Sequence, residues 1–346
     1  MVEQRDIDII MNNPIDWEYF RNKTVLVTAA TGRLGMYIAE SLIKADIDYN
    51  LSLNVIIHGR NEEKLQDIYR DSLNLPNVHP LIQDITEPFA IEGELDCIFH
   101  TAGAASPMDF TNTPVDTLWG HVQGTRNVLE LAKEKKCSKV FYVSTVEIYG
   151  EWKQETGIKE TDMGPIKCDE ARACYPEAKR LCETMLASYE KQYGIPYVMV
   201  RLCHTFGPGI ALDDGRAFAE FIKDVVDGKD IILHTDGSAE RTYTYVSDAV
   251  GAMLLAVTKG KEHSYNVANI GNLISIRDLA NLIANLDPSK KVKVCYAEGV
   301  EQKLQYLPFK LGIMDVDRIM SLGWNPQVGV EDAFRYTLES FLQRKA

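Results

Sequence analysis

Tyr175 and Lys179 are four residues apart, a spacing that puts both side chains on one face of a helix. A neighbouring ammonium favours the charged form of a phenol and lowers its pKa. A phenol tuned in this way can exchange a proton with an alcohol hydroxyl. The pair opens a helical stretch from about Pro176 to Tyr193, and the apolar run before it, KVFYVS, ends in Ser144-Thr145. The Thr145 hydroxyl is the expected bridge between Tyr175 and the reacting oxygen.

A second set of residues supplies a partner for that chemistry. The run TVLVTA leads into Thr28-Ala29-Ala30-Thr31-Gly32-Arg33-Leu34-Gly35 and then into a helix. Small residues here let the backbone approach a pyrophosphate, and the helix N-terminus offers N–H groups and partial positive charge. Ala29 occupies the first position of the usual three-glycine pattern, where a positive φ would strain it. The second strand ends in His58-Gly59-Arg60-Asn61. Arg60 could pair with the 2′-phosphate of NADP, stack on adenine, or cap the surface beside Glu62 and Glu63, and Asn61 is grouped with it. Asp84, after the third strand, is either an acceptor for the adenine amino group or a turn residue. The expected cofactor is therefore NAD or NADP, recycled within turnover, with hydride chemistry at a carbinol carbon.

The elements that must position these residues alternate regularly. Strands are expected at Thr24–Ala29, Asn54–Ile57, Val78–Ile82, Asp96–His100, Lys139–Ser144 and Tyr197–Cys203, with helices at Met36–Lys44, Pro114–Lys136 and Pro176–Tyr193. Continuous apolar strands between helices predict an α/β, Rossmann-type, doubly wound parallel sheet. Such sheets bind ligands at the carboxyl ends of their strands. We expect an N-terminal arm over 1–20, either a short helix or loose, and a dinucleotide-binding domain over 21–203. A smaller α/β substrate lobe is expected over 204–346, part of it returning to the sheet.

The bulk composition narrows the partners. A net charge of −13 over 346 residues argues against nucleic acid. No apolar stretch has the length of a membrane span, and residues 1–16 lack the apolar block of a signal peptide. The seven cysteines are odd in number and contain no CxxC pair, which suits reduced thiols, a cytoplasmic location and no metal site.

The segments VLVTAATGRLG, DCIFHTAG, STVEIYG and DGSAERTYTYVSD, with the Tyr-x-x-x-Lys pair, resemble the extended short-chain dehydrogenase/reductase family of nucleotide-sugar epimerases and dehydratases. The resemblance spans about 23–340. It implies that Thr28, Gly32, Arg33, Leu34, Gly35, Asp84, Ile85, Thr101, Ala102, Gly103, Tyr175, Lys179 and Cys203 line the cofactor. It places His204 and Arg241 towards the sugar and diphosphate, and it implies a homodimer paired through the helices near 114–136 and 176–193.

Three stretches, ASPMDFTNTPVDTL (with Ser106), RACYPEAKRLCETM and ALDDGRAFAEFI (with Arg216), look most like UDP-glucuronate decarboxylases and dTDP-glucose 4,6-dehydratases. In those enzymes a carboxylate at the position of Glu147 acts beside the sugar ring, so the resemblance implies a lyase. A 4-epimerase and a net dehydrogenase or reductase are the alternatives. The departures are Val146, where an acid or Ser is usual, His121 and His204 in place of Asn, Gly209 in place of Arg, and no Arg-x-Pro around Leu307 to Ile313. Arg216 is left as a candidate partner for a carboxylate or phosphate.

Overall fold

β-branched and aliphatic runs bounded by turn residues become strands, and the stretches between them become helices. The computed structural model describes residues 2–152, 156–213, 215–297 and 313–345. In chain order the elements are α1 (Gln4–Met11), β1 (Thr24–Val27), α2 (Arg33–Tyr49), β2 (Asn54–Gly59), α3 (Glu62–Ile68), β3 (Val78–Ile82), β4 (Cys97–His100), α4 (Pro107–Asn112), α5 (Pro114–Lys135) and β5 (Lys139–Thr145). There follow α6 (Cys174–Tyr193), β6 (Tyr197–Leu202), β7 (His204–Phe206), α7 (Ala217–Asp227), β8 (Ile231–Leu233), β9 (Glu240–Tyr245), α8 (Val246–Lys259), β10 (Ser264–Val267), β11 (Leu273–Ser275), α9 (Ile276–Asn285), β12 (Val294–Tyr296), α10 (Asp317–Met320) and α11 (Val330–Lys345).

Seven strands form one parallel sheet in the order β10-β6-β5-β4-β1-β2-β3. The order reverses between β1 and β4, so a crevice opens there outside the carboxyl ends of the strands. β10 comes from beyond residue 203 and seals the edge beside β6, with Tyr265 opposite Val200. Helix α8 leads into it and is buried from Val246 to Val257, as expected of a helix that is apolar on every side. The rest of the C-terminal part builds small sheets, β11-β9-β7 and β12-β8, beside the crevice.

Residues 4–11 form a docked helix. Ile7 and Ile10 are buried, and the Tyr37 and Tyr245 hydroxyls donate to the buried Asp6 carboxylate at 2.7 and 3.2 Å. Helix α6 stops where Gly194 adopts φ 72°, a left-handed cap. All seven cysteines are free thiols. No described helix is long and apolar enough to cross a membrane.

Candidate active site

β1 ends at Val27 because the chain then turns sharply: Ala29 has φ 49°. The left-handed conformation is held from outside the turn. Ala29 N–H donates to His58 Nδ1 at 3.2 Å, and His58 Nε2–H donates to Gln83 O at 3.0 Å. Burial keeps this histidine neutral, its pKa pushed down to about 4. Gly32 precedes α2, and no side chain caps that helix start. A Cβ on Gly35 would stand 2.4 Å from Ala29 O, so only glycine lets the helix come this close to the turn. Thr31 abuts Gly59 in the same way, 3.0 Å from where a Cβ would be. This narrow, uncapped helix start suits a pyrophosphate, so the residues present fit a dinucleotide.

Thr28 is engaged within the protein. It is fully buried, and its hydroxyl accepts from the N–H groups of Thr101 and Ala102 at 3.1 and 3.2 Å. The Thr101 hydroxyl donates back to Thr28 O at 2.5 Å. Thr28 thus ties the ends of β1 and β4 together. Gly103 follows at φ 138°, with no room for a Cβ, which would lie 2.1 Å from His121 Cε1. His121 Nε2–H donates to Ala104 O at 2.8 Å, and burial pushes its pKa down to about 3.

Beyond β2 and β3 the side chains are engaged locally. Asn61 Oδ1 accepts from Lys64 N–H at 2.8 Å and caps α3, so its role is the cap. Asp84 accepts from the N–H and hydroxyl of Thr86 at 2.9 and 2.7 Å, bonds that hold its carboxyl below the usual range, with Arg60 adding a smaller effect. Arg60 is exposed. Ile85 packs where Gly124 leaves space, and Asn127 donates to its carbonyl at 2.9 Å.

The candidate catalytic set converges at the end of β5. Tyr175, Lys179 and Glu183 recur every fourth residue on the face of α6 that meets β5. Ser144 donates to Glu183 Oε1 at 2.5 Å, and Lys179 Nζ donates to Val143 O at 2.8 Å. The Thr145 hydroxyl accepts from Glu147 N–H at 3.3 Å and stands near enough to Tyr175 to hold its pKa down. The Tyr175 ring is sandwiched, stacked on Phe110 with centroids 4.3 Å apart and tilted against His121 at 5.4 Å.

Burial, then the Glu147 charge, push the Tyr175 pKa up to about 12, and the nearby Thr145 hydroxyl moderates this. Burial pushes Lys179 itself down to about 8, and its Nζ is 5.9 Å from the Tyr175 ring centroid, occupied by the Val143 carbonyl.

A cavity of about 650 Å³ opens in front of this set. Arg33, Leu34, Thr145, Val146, Glu147, Tyr175, Cys203, His204, Arg216 and Arg241 all line it. A neighbouring cavity of about 480 Å³ shares His204, Arg216 and Arg241. Burial, with Arg241 and Arg216 nearby, pushes His204 down to about 3. Arg216 donates to Ala105 O. Ser106 sits between the lining residues Ala105 and Pro107 and accepts from Met108 N–H at 3.2 Å, capping α4. Cys203 Sγ lies 3.0 Å from Thr244 Oγ1.

Sequence reasoning passed over Arg172 and Phe110, both of which line the main cavity. Arg172 lies three residues before Tyr175, and that spacing at a helix start was the available signal. The stretch 307–312 lies outside the described residues. Among the described residues no cluster of His, Cys, Asp or Glu is arranged to hold a metal ion.

Residues 25–271 match the family model described as the NAD dependent epimerase/dehydratase family. The chain belongs to that family. A similar relative is UDP-glucuronic acid decarboxylase 6 of Arabidopsis thaliana, 28% identical over 93% of this chain and 90% of the relative. Among solved structures, UDP-glucose 4-epimerase of Thermotoga maritima superposes with a TM-score of 0.75 at 24% identity, over 93% of this chain and all of that one. dTDP-glucose 4,6-dehydratase of Streptomyces venezuelae, solved with NAD, gives 0.74 at 19% identity over 93% of this chain and 98% of the other. The likeness to these structures is one of fold. As a member of the NAD-dependent family the protein is a nucleotide-sugar modifying enzyme.

Proposed function

We propose that this family member is a lyase: it oxidises C4 of a nucleoside-diphosphate sugar transiently, then eliminates water or carbon dioxide. The carrying observation is Glu147, a carboxylate on the wall of the same cavity as Thr145 and Tyr175 and near enough to raise the Tyr175 pKa. A 4-epimerase has no use for that carboxylate.

The turn over 29–35, with the N-terminus of α2, would hold the pyrophosphate, and Thr101, Ala102 and Gly103 would border the dinucleotide. Bound NAD supplies a reversible acceptor for the C4 hydrogen and its electron pair. Tyr175 takes the O4 proton through the Thr145 hydroxyl, and the resulting ketone acidifies the C5 hydrogen. Glu147 removes that proton as hydroxide leaves C6 and takes up a proton to depart as water. Hydride from the reduced dinucleotide then returns to C6, and Glu147 gives its proton back to C5, so C4 stays a ketone. Where C6 is a carboxylate, the C5–C6 bond breaks instead, its electron pair enters the C4–C5 enolate, and a proton returns to C5. Tyr175 returns its proton to O4 only in the decarboxylating case, when C4 is reduced again. Arg216 and Arg241 meet the diphosphate with paired, charge-assisted bonds.

Exposed apolar residues on the paired helices, Val115 at 65%, Trp119 at 57% and Leu181 at 47%, support a homodimer. Seven free thiols suit a reducing, cytoplasm-like compartment.

The test is incubation with UDP-, dTDP-, GDP- and CDP-sugars, read by mass. Loss of the mass of water or carbon dioxide is the expected result. Conversion without mass change would replace the lyase with a 4-epimerase, the reading that Val146 favours by providing no acid beside Glu147.

A further inference from the structure

Arg172 sits in the short turn Ala171–Ala173 that leads into α6. Its Nη2 donates to both oxygens of Glu147, at 2.8 and 2.9 Å. Its guanidinium lies 4.7 Å from the centroid of Phe110, the ring that stacks on Tyr175. Arg172, Phe110, Glu147 and Tyr175 therefore form one wall of the cavity. The Arg172 and Glu147 side chains are 46% and 33% exposed, and an ion pair so open to solvent contributes little to stability.

A guanidinium carries five N–H donors in one plane. Among the described residues, Arg172 Nε and Nη1 make no hydrogen bond, so the Nη1 N–H groups are available as single donors while Nη2 holds Glu147. The other cations around the cavity stand elsewhere. Arg33 opens α2 beside the dinucleotide turn and donates to Thr205 O, Lys167 pairs with Glu170 at 3.4 Å, and Arg216 and Arg241 stand with His204 between the two cavities. Among the described residues Arg172 is the cation that holds Glu147, while Arg216 acts on Tyr175 from the same cavity.

We propose that Arg172 selects a nucleoside-diphosphate uronate, donating from Nη1 to one oxygen of the C6 carboxylate while Nη2 keeps Glu147 in place. This rests on the lyase reading and narrows it to decarboxylation. C4 and C6 are both bonded to C5, so the group that meets C6 must stand beside the one that serves O4, and Arg172 reaches that place over Phe110. Glu147 held against the same guanidinium is a like charge beside the bound carboxylate. It limits how tightly that carboxylate is held before the C5–C6 bond breaks, so binding energy does not deepen the ground state. Loss of carbon dioxide removes the charge that Arg172 recognised, which favours release of the product.

The experiment is titration calorimetry on the NAD-loaded protein with UDP-glucuronate, UDP-glucose and UDP. The wild-type protein should bind UDP-glucuronate about tenfold more tightly than UDP-glucose, the worth of one hydrogen bond to a charged group. R172Q should lose that preference yet keep its affinity for UDP, which also shows that it folds. R172K should recover part of the preference. E147Q should bind UDP-glucuronate at least as tightly as wild type. A preference that survives in R172Q, or vanishes in E147Q, overturns the proposal. If wild type shows no preference yet converts UDP-glucose with loss of water, the proposal fails and the lyase reading stands. If neither sugar nucleotide binds or changes, the proposal fails, and the lyase reading fails with it when the dTDP-, GDP- and CDP-sugars are also left unchanged.

Discussion

The Ser144 hydroxyl lies 2.5 Å from Glu183 Oε1, inside a buried network that also ties Glu183 to Arg201 at 2.8 Å. Its neighbour Thr145, which lines the main cavity with it, instead accepts from Glu147 N–H at 3.3 Å and acts on Tyr175. Two adjacent hydroxyls therefore have separate tasks. Thr145→Val should lower kcat by about 10²-fold or more, the usual contribution of a positioned proton-transfer group, with little loss of stability. Ser144→Ala should cost about 1–3 kcal/mol in urea unfolding by leaving Glu183 short of a donor, while kcat changes only a few-fold. The reverse pattern would exchange the two assignments.

Ala29 at φ 49° stores strain that glycine would not. The left-handed conformation costs an L-residue about 1–2 kcal/mol, and the greater freedom of glycine in the unfolded chain offsets part of this. Ala29→Gly should therefore stabilise the protein by about 0.5–1 kcal/mol, read as a higher thermal midpoint. An unchanged or lower midpoint would mean that the clamp by His58 already absorbs the strain.

His58 predicts an acid-sensitive phosphate turn. Its folded pKa, about 4, lies below the ordinary 6.5, because burial and the Ala29 N–H bond to Nδ1 both favour the neutral ring. Between these values the unfolded chain binds a proton that the folded one does not. The stability contributed is complete above pH 6.5 and is lost as pH falls towards 4. Glu40, raised to about 7 by burial, and Asp248, raised to about 6, act in the opposite sense. The readout is consequently a difference: from pH 7.5 to 4.5, His58→Gln should lose less stability than wild type, on the order of 2 kcal/mol less, in urea midpoints. Parallel pH profiles would remove His58 from the account.

Trp119 is large, apolar and 57% exposed on α5, beside Val115. Trp119→Glu should convert a dimer to a monomer in light scattering without altering the thermal transition of the protomer. A wild-type protein of monomeric mass would refute the dimer outright.

The chain's local patterns carried most of the architecture. Strand and helix periodicity is a property of side-chain direction, so apolar runs and the Tyr175–Lys179 spacing were readable without coordinates. The six expected strands appear with ends shifted by a residue or two, and the β1 end moved because the turn at Ala29 begins early. Relations between distant segments were not readable. The seat of β10 beside β6, the clamp of His58 on Ala29, the withdrawal of Ser144 to Glu183 and the grip of Arg172 on Glu147 all join residues far apart in the chain. The Tyr175 pKa belongs with these. Spacing brought Lys179 near it, but burial and the Glu147 charge raised the pKa, and both arise only once the folded chain excludes water.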